Sequence, residues 1–311
     1  MPPVIVIAGP TASGKSALAV ALAEVYGGLI VNADALQVYR DLRILTARPD
    51  DAALARAPHR LYGWLDAAER GSVGRWRALA LQEIAAAQTA GLLPIMVGGT
   101  GLYLRALQYG LAAIPAIPAA VRAEAAELHR VLGGPAFRER LRALDPAAAE
   151  RLPAGDRQRL VRAFEVIRAT GVPLGEWQHR AAAAIPYRFA SLLLLPPRPI
   201  LYAACDARLA RMIEQGGLNE ARALLARGLD PTLPAMKAVG VPELMRHLRG
   251  EIGLDQAILL AQRATRRYAK RQTTWFRHQM APDLHLTEKF SESLLRCSRH
   301  FIDDFLLTRH P

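Results

Sequence analysis

The sequence predicts an α/β protein in which a parallel sheet forms the core and an all-helical domain is inserted into it. Short runs of aliphatic and β-branched residues alternate with segments of helical composition, and a glycine-bearing loop follows the first run. A long charged stretch without strand signals lies between two segments rich in alanine and proline. Buried strands that alternate with helices are typical of a parallel sheet that helices cover on both faces.

The core elements follow one another in the first third of the chain and resume after the charged stretch. Apolar runs of strand length predict strands at residues 4–8, 29–31, 92–97 and 189–195. Alanine- and leucine-rich segments predict helices at 17–26 and 76–90, each followed by glycine. From residue 201 the pattern is helical, with a break at 228–236.

The two alanine- and proline-rich segments, 112–120 and 181–186, mark the expected domain boundaries. Residues 121–179 between them predict several short, charged helices. We therefore expect a core domain made of residues 1–111 and 187–311, and an inserted helical domain at 112–186. The stretch from about Met280 carries no motif, and we expect either a peripheral helix or a loose tail there.

The composition limits the possible classes of protein. With 40 Lys and Arg against 28 Asp and Glu, the net charge is +12. Such a surplus is typical of proteins that bind a polyanion, although an arginine- and alanine-rich composition alone also produces it. Only Cys205 and Cys297 occur, without a C-x-x-C pair, so a disulfide framework and a zinc cluster are not expected.

Neither a targeting signal nor a membrane span is evident in the sequence. The chain enters an apolar strand directly after Pro3, without a charged leader region. No run approaches the ~18 uncharged apolar residues that cross a membrane. We expect a cytoplasmic protein without membrane association, acting as a monomer.

The strongest motif fills the loop after the first predicted strand. It matches the P-loop pattern G-x-x-x-x-G-K-[ST] with Gly9, Pro10, Thr11, Ala12, Ser13, Gly14, Lys15 and Ser16. Backbone amides at a helix N-terminus surround phosphate oxygens, Lys15 adds a cation, and the Ser16 hydroxyl can ligate Mg²⁺. The predicted core is therefore of the P-loop type, with a bound di- or triphosphate and Mg²⁺. The motif does not specify ATP.

An acid follows the second predicted strand. A hydrolytic ATPase carries its metal-binding acid after an apolar strand, but residues 92–97 lead into Gly98-Gly99-Thr100 instead. Asp34 lies at the carboxyl end of the second strand, where an open α/β sheet binds its ligands. Asp34 is thus a candidate general base, and a helix N-cap is the alternative interpretation.

An ordered set of motifs resembles the tRNA dimethylallyltransferase (IPP transferase) family over residues 4 to about 277. Besides the P-loop, the matching segments are residues 32–39 (NADALQVY), 46–49 (TARP), 58–59 (PH), 98–103 (GGTGLY), 158–162 (QRLVR) and 270–276 (KRQTTWF). The resemblance implies transfer of a dimethylallyl group from dimethylallyl diphosphate to N6 of the adenine immediately 3′ of the anticodon, with release of diphosphate.

The resemblance also implies roles for particular residues. Asp34 would accept the N6 proton, Thr100 would lie between the amine and the diphosphate, and the P-loop with Arg208 would hold the diphosphate. The residues expected to contact tRNA are Asp34, Ala35, Leu36, Gln37, Thr100, Arg122, Gln158, Arg159, Leu160, Val161 and Arg162. The inserted helical domain would be tRNA-binding and would close over the anticodon stem-loop.

Three positions depart from the family pattern. Ala35 replaces the usual serine after the catalytic acid, so a hydroxyl contact is missing there. Ala204 stands where the family often has an additional arginine. The segment 240–243 reads Gly-Val-Pro-Glu instead of Gly-Tyr-Arg-Glu, which removes an expected RNA contact.

A basic segment near the C-terminus has its own interpretation. Arg263, Arg266, Arg267, Lys270, Arg271 and Arg277 occur in a span without acids. Residues 263, 267, 270 and 271 share one helical face, which could follow a phosphate backbone or simply be solvated. Trp275 and Phe276 are candidate stacking platforms or core residues, and His59 is a candidate ligand contact or a structural hydrogen-bonding group.

Other functions remain open from the residues alone. A P-loop kinase for a small metabolite and an ATP-driven RNA-binding protein would both need a nucleoside triphosphate. An adenine-nucleotide isopentenyltransferase would use the same donor on a free nucleotide. The high positive charge favours a nucleic-acid substrate over a small metabolite or a free nucleotide.

Overall fold

Six parallel strands form one sheet in the computed structural model, which describes residues 1–180 and 185–308. The strand order is β3-β2-β4-β1-β5-β6. The strands are β1 (Pro3–Ala8), β2 (Gly28–Asn32), β3 (His59–Arg60), β4 (Leu93–Gly98), β5 (Arg188–Leu194) and β6 (Leu284–Leu286). The predicted α/β fold with a parallel core sheet is confirmed.

Thirteen α-helices connect and cover the strands in the described part of the chain. They are α1 (Lys15–Tyr26), α2 (Asp51–Arg56), α3 (Val73–Thr89), α4 (Gly101–Tyr109), α5 (Ala119–Arg142), α6 (Pro146–Arg151), α7 (Arg157–Thr170), α8 (Leu174–His179), α9 (Arg198–Glu214), α10 (Gly217–Ala226), α11 (Val241–Leu248), α12 (Leu254–Gln279) and α13 (Glu292–Leu307). None of them is long and apolar enough to cross a membrane.

The central strand β1 divides the core into two layers because its side chains alternate between the sheet faces. Val4 and Val6 belong to a cluster that includes Phe276 of α12. Ile5 and Ile7 belong to a second cluster with residues of α1 and α13. Both faces of the strand are therefore buried, which explains its uninterrupted apolar run.

The register of the parallel strands places three loops at one edge of the sheet. Ala8 of β1 lies opposite Gly98 of β4, and Asn32 of β2 lies opposite Val97. The segments that follow β1, β2 and β4 therefore leave the sheet side by side. The P-loop and the motifs at 32–39 and 98–103 lie at these strand ends.

The stretch after Met280 contributes a strand and a helix to unit 1, so the alternative of a helix is confirmed and that of a loose tail was wrong. Strand β6 pairs with β5, with Leu286 opposite Leu194. Leu294 and Ile302 of α13 are buried in the second core cluster. A three-residue strand is too short to show periodicity, which is why the sequence did not reveal it. The two-residue strand β3 escaped for the same reason.

The chain divides into two units. Unit 1 comprises Met1–Gln108 and Pro186–Pro311, and unit 2 comprises Tyr109–Ile185. Unit 2 contains the helices α5 to α8 and has an apolar core of its own, which includes Phe137, Leu141 and Phe164. Its first element, α5, consists of two shorter helices that meet at Gly133, whose backbone is not helical (φ 71°, ψ 171°), in agreement with the short helices predicted there. Of the predicted linker at 181–186, residues 181–184 lie outside the described residues.

Candidate active site

The P-loop connects the end of β1 to the start of α1. At two positions in the loop, the structure explains why the residue is glycine. A Cβ atom at Gly9 would lie 2.7 Å from the carbonyl oxygen of Leu194. Gly14 is the N-cap of α1 and has φ 96°, a left-handed conformation that favours glycine. Gly9, Pro10, Thr11 and Ser13 are buried, Ala12, Gly14 and Lys15 are half-buried, and Ser16 is exposed.

Lys15 lies back over the loop. Its Nζ donates a hydrogen bond to the carbonyl oxygen of Pro10 over 3.2 Å. Burial lowers the pKa of Lys15 to about 8, an effect that Asp34 opposes and Arg208 reinforces. An anionic ligand beside this amine would compensate for the lost solvation of its charge. Binding such an anion is the usual role of a P-loop lysine.

Thr11 connects the P-loop to two helices that are distant in sequence. Its backbone N–H donates to Oε1 of Gln272 on α12 over 2.8 Å, and Gln272 is buried. Its hydroxyl is hydrogen-bonded to Nη2 of Arg208 on α9. Arg208 is therefore at the P-loop, where the resemblance places a diphosphate ligand. The hydroxyl of Ser13 is buried without a partner among the described residues.

Asp34 follows β2 in a tight turn. Its backbone N–H donates to Oδ1 of the buried Asn32, whose Nδ2 donates to the carbonyl oxygens of Asp34 and Leu61. One carboxylate oxygen of Asp34, Oδ1, accepts the N–H of Leu36 over 2.9 Å. No helix begins here, so Asp34 is not a helix N-cap. Its Oδ2 has no hydrogen-bond partner within the described residues, which leaves that oxygen able to accept a proton.

Thr100 meets the Asp34 turn from the next strand. Its Oγ1 accepts the N–H of Ala35 over 2.9 Å, and its own N–H donates to the carbonyl oxygen of Ala33. The contact to Ala35 uses only the backbone, so the alanine preserves it without the usual serine hydroxyl. The structure thus brings Thr100 into contact with the turn that contains Asp34.

One cleft contains groups from the P-loop, the Asp34 turn and the helical layer of unit 1. Its volume is about 490 Å³, including the solvent at its mouth. The polar groups lining it belong to Thr11, Asp34, Thr46, Cys205, Arg208, Thr265 and Tyr268, and the apolar ones to Leu36, Leu45, Leu209, Met212 and Val239. Burial raises the pKa of the Tyr268 hydroxyl, with a smaller contribution from Asp34. This phenol therefore stays neutral in the cleft at physiological pH.

Gln37 and the 46–49 segment have a shared structural role. The Nε2 of Gln37 donates to the carbonyl oxygens of Thr46 and Ala47. Arg48 directs its guanidinium towards the carbonyl oxygens of Tyr39 and Arg40. The amide nitrogen of Gln37 is thus committed within the protein, and within the described residues only its Oε1 remains free for a ligand.

In unit 2, the predicted RNA contacts differ in what they can offer. The guanidinium of Arg122 donates to the carbonyl oxygen of Ile117. Gln158 and Arg159 are exposed, Val161 and Arg162 are half-buried, and Arg162 pairs with Glu165. Leu160 is fully buried in the apolar core of the unit. Its side chain therefore cannot contact RNA, which corrects the expectation drawn from the motif.

Helix α12 separates a buried stripe from a basic face. Arg263, Arg267, Lys270 and Arg271 are exposed, whereas Arg266 pairs with Asp206 over 2.6 Å. Phe276 is fully buried and Trp275 packs so closely on Gly101 that a Cβ there would overlap with the indole. Phe276 is therefore a core residue, which confirms that alternative over a stacking role for its ring.

Two further side chains complete the local picture. His59 has Nδ1 2.8 Å from the carbonyl oxygen of Ala57, and burial lowers its pKa, so the structural hydrogen bond is the interpretation that holds. Gln272 and Asn32 were missed as site residues. A polar side chain on the apolar stripe of a helix, such as Gln272, is the signal that would have identified the first of them.

The fold and the site define a class of protein, namely parallel α/β proteins with a glycine-rich P-loop after a central strand and an inserted helical unit. Residues 37–279 match the model of the IPP transferase family. The chain belongs to this family and is a prenyl transferase.

Curated relatives and solved structures agree with this assignment. The chain is 61% identical to a tRNA dimethylallyltransferase of Rhodospirillum centenum, over 90% of each chain. It is 56% identical to the enzyme of that name from Rhodospirillum rubrum, over 98% of this chain and 96% of the relative.

Among solved structures, a tRNA isopentenylpyrophosphate transferase of Bacillus halodurans is 31% identical, with a TM-score of 0.70 over 98% of this chain and 96% of the other. A eukaryotic dimethylallyltransferase described as acting on tRNA is 25% identical, with a TM-score of 0.86 over 100% of this chain and 81% of the other.

Proposed function

We propose that this enzyme transfers the dimethylallyl group of dimethylallyl diphosphate to N6 of the adenine immediately 3′ of the anticodon in tRNA. The observation that carries the proposal is the shared cleft, in which Thr11 and Arg208 lie with Asp34. A diphosphate site and a candidate proton acceptor thus face the same space. The names of the relatives support both the prenyl group and the tRNA substrate.

The donor end is assigned to the P-loop and Arg208. Amides at the start of α1 carry the partial positive charge of the helix N-terminus, and Lys15 and Arg208 add two cations. These groups stabilise the negative charge that grows on the diphosphate as its bond to the allylic carbon breaks. The apolar part of the cleft lining suits the five-carbon dimethylallyl group better than it would suit a polar group.

The acceptor end is assigned to Asp34 and Thr100. As the bond from N6 to the allylic carbon forms, the carbon–oxygen bond to diphosphate breaks and the diphosphate leaves with the bonding electrons. The N6 proton passes to Oδ2 of Asp34, the carboxylate oxygen that is not bound to Leu36. Oγ1 of Thr100 accepts the N–H of Ala35, so the hydroxyl proton of Thr100 is available to donate to an oxygen of the diphosphate.

Access to the amine requires that the adenine leave its stack. Extrusion of a base costs a few kcal/mol and is least costly in a single-stranded loop, which fits an anticodon loop. The exposed cations of α12 would bind the phosphate backbone. The exposed residues Gln158 and Arg159 of α7 would also bind it, independently of α12. A single chain supplies all the residues invoked, so we propose a monomer as the active form.

Mg²⁺ fits the P-loop in one limited way. The Ser16 hydroxyl is exposed at the first turn of α1 and is free to act as a metal ligand. No cluster of three acidic, histidine or cysteine side chains that could hold a metal ion occurs among the described residues. A Mg²⁺ ion here would therefore depend on Ser16 and on oxygens of the diphosphate. When bound, it would neutralise charge on the leaving group.

Incubation of the protein with dimethylallyl diphosphate and unmodified tRNA or AMP tests the proposal. We expect prenylated tRNA and released diphosphate, with no transfer to AMP. Transfer to AMP alone would indicate an adenine-nucleotide isopentenyltransferase. Phosphate release from ATP, without prenyl transfer, would instead indicate a kinase or an ATP-driven RNA-binding protein.

A further inference from the structure

The side-chain amide of Gln272 joins the P-loop to the segment that precedes Thr100. Its Oε1 accepts the N–H of Thr11 over 2.8 Å, and its Nε2 donates to the carbonyl oxygen of Gly99 over 2.9 Å. The side chain is buried at 6% exposure, so neither bond competes with water. One amide group therefore holds the P-loop on one side and the segment before Thr100 on the other.

The partners of Gln272 lie in the two segments that the proposed reaction must align. Thr11 is in the P-loop and its hydroxyl holds Arg208, at the donor end. Gly99 precedes Thr100, which is bonded to the Asp34 turn through Ala35. Hydrogen bonds, linked by short stretches of backbone, thus connect Arg208 through Thr11, Gln272 and the 99–100 segment to the Asp34 turn.

The approach of the Gln272 amide to the 99–100 segment depends on a glycine at position 99. A Cβ atom at Gly99 would overlap with Nε2, so only glycine permits the approach. Glutamine is the residue whose terminal group both accepts and donates at this depth. A buried group of this kind costs free energy unless both bonds form, which fixes the relative position of the two segments.

We propose that Gln272 is a positioning residue for prenyl transfer, acting through Thr11 and Gly99 to set the distance between the donor diphosphate and the Asp34–Thr100 pair. The proposal rests on the function proposed above. Alignment of the reacting groups contributes strongly to such reactions, and a displacement of about 1 Å can lower the rate ~100-fold.

The Gln272→Met variant tests the bonds themselves, since methionine has a similar shape but neither bonding group. Hydrogen–deuterium exchange, without any substrate, should show faster exchange of the Thr11 amide and of residues 98–101. The matched control is Gln82→Met on α3, because Gln82 is exposed, and its exchange should equal that of the wild type. Wild-type exchange at both segments in Gln272→Met would overturn the proposal.

The kinetic test is a double-mutant cycle with Thr100→Val. Single-turnover transfer at saturating donor and tRNA should fall at least ~10-fold in Gln272→Met, while tRNA affinity stays within about threefold. Thr100→Val should then cost several-fold less in the Gln272→Met background than alone, because Gln272 acts through the Thr100 segment. Rate losses that multiply would indicate a purely structural role and would overturn the proposal.

Gln272→Glu keeps the test decisive if the methionine variant does not fold. Its carboxylate retains an acceptor for Thr11 but places an oxygen opposite the carbonyl of Gly99, so exchange should increase at 98–101 and not at Thr11. Equal exchange changes at both ends would contradict the proposal. A wild-type protein that transfers no prenyl group would refute the proposed function, and the exchange results would still report on Gln272.

Discussion

The two carboxylate oxygens of Asp34 have different tasks. Oδ1 accepts the N–H of Leu36 and fixes the turn, while Oδ2 has no hydrogen-bond partner among the described residues, and the residue lines the cleft. The side chain of Asn32 supports the same turn with two hydrogen bonds to the backbone of Asp34 and donates a third to Leu61. A base held this rigidly needs no rearrangement before it accepts a proton.

Asp34→Asn should lower the single-turnover rate about 100-fold or more, because the amide keeps the bond to Leu36 but loses the basicity. tRNA affinity, measured by equilibrium binding of the same variant, should stay within a few-fold of the wild type. A normal transfer rate would remove Asp34 as the base. Collapsed binding with normal transfer at saturation would make it a recognition residue.

At Lys15 of the P-loop, the lowered pKa leads to a pH-dependent prediction. Because burial lowers its pKa to about 8, the amine loses its charge as the pH rises through this value. The affinity for dimethylallyl diphosphate should be highest below pH 8 and fall above it, by up to about tenfold per pH unit. Calorimetric titration between pH 7 and 9, without RNA, measures this.

Lys15→Arg is the matched control, since a guanidinium keeps its charge over the whole range. Donor affinity in this variant should change little between pH 7 and 9. Burial also raises the pKa of the neighbouring Cys205 thiol, so that this group stays neutral there. An equal pH dependence in Lys15→Arg would assign the titration to another group.

At the scale of elements, α12 has three surfaces with different roles. Its buried stripe, which includes Ala261, Ala269 and Phe276, packs on the core. Thr265 and Tyr268 line the cleft. The exposed cations at 263, 267, 270 and 271 form a separate face, so the same helix ties a candidate RNA surface to the site of transfer.

Replacement of the four exposed cations, Arg263, Arg267, Lys270 and Arg271, by glutamine should weaken tRNA binding and flatten its salt dependence. The slope of log affinity against log salt should fall by roughly one unit for each RNA phosphate that the variant no longer neutralises. Arg296→Gln is the control, because Arg296 is exposed on α13, the helix that packs on the opposite core layer. An unchanged slope in the fourfold variant would show that this face is merely solvated.

At the scale of the whole molecule, each unit has a core that supports its own binding role. Unit 1 carries the P-loop, the Asp34 turn and α12, while unit 2 packs its helices on Phe137 and Phe164, whose ring centroids are 5.3 Å apart. We therefore expect the affinities for the two substrates to change differently when the apolar core of one unit is weakened.

Phe137→Ala should destabilise unit 2 by about 3–5 kcal/mol, since the fully buried ring leaves a cavity. tRNA affinity should fall, whereas the binding of dimethylallyl diphosphate to unit 1 should not change. Both are measured by equilibrium binding, with Val131→Ala, at an exposed position of α5, as control. Equal loss of donor binding would show that the donor site depends on unit 2.

Much of the core and of the site follows from local sequence patterns. The apolar runs at 4–8 and 92–97 form buried strands because both of their faces are covered, and glycine spacing identifies the P-loop. Asp34 and Thr100 follow from motif resemblance and from the rule that parallel strands place their carboxyl ends at one edge. These features depend on a few neighbouring residues and so are visible without the fold.

Long-range contacts decided the rest. Gln272 becomes a bridge only because α12 returns to a loop 261 positions earlier in the chain, and β6 becomes a strand only because β5 offers it an edge. Leu160 lies within a motif resembling RNA-contact residues, yet packing in unit 2 buries its side chain. The sequence by itself determined the fold class, the P-loop and the candidate base, because short-range patterns encode them. Only the tertiary structure decided which polar groups meet, because hydrogen bonds between distant segments leave no periodic trace in the chain.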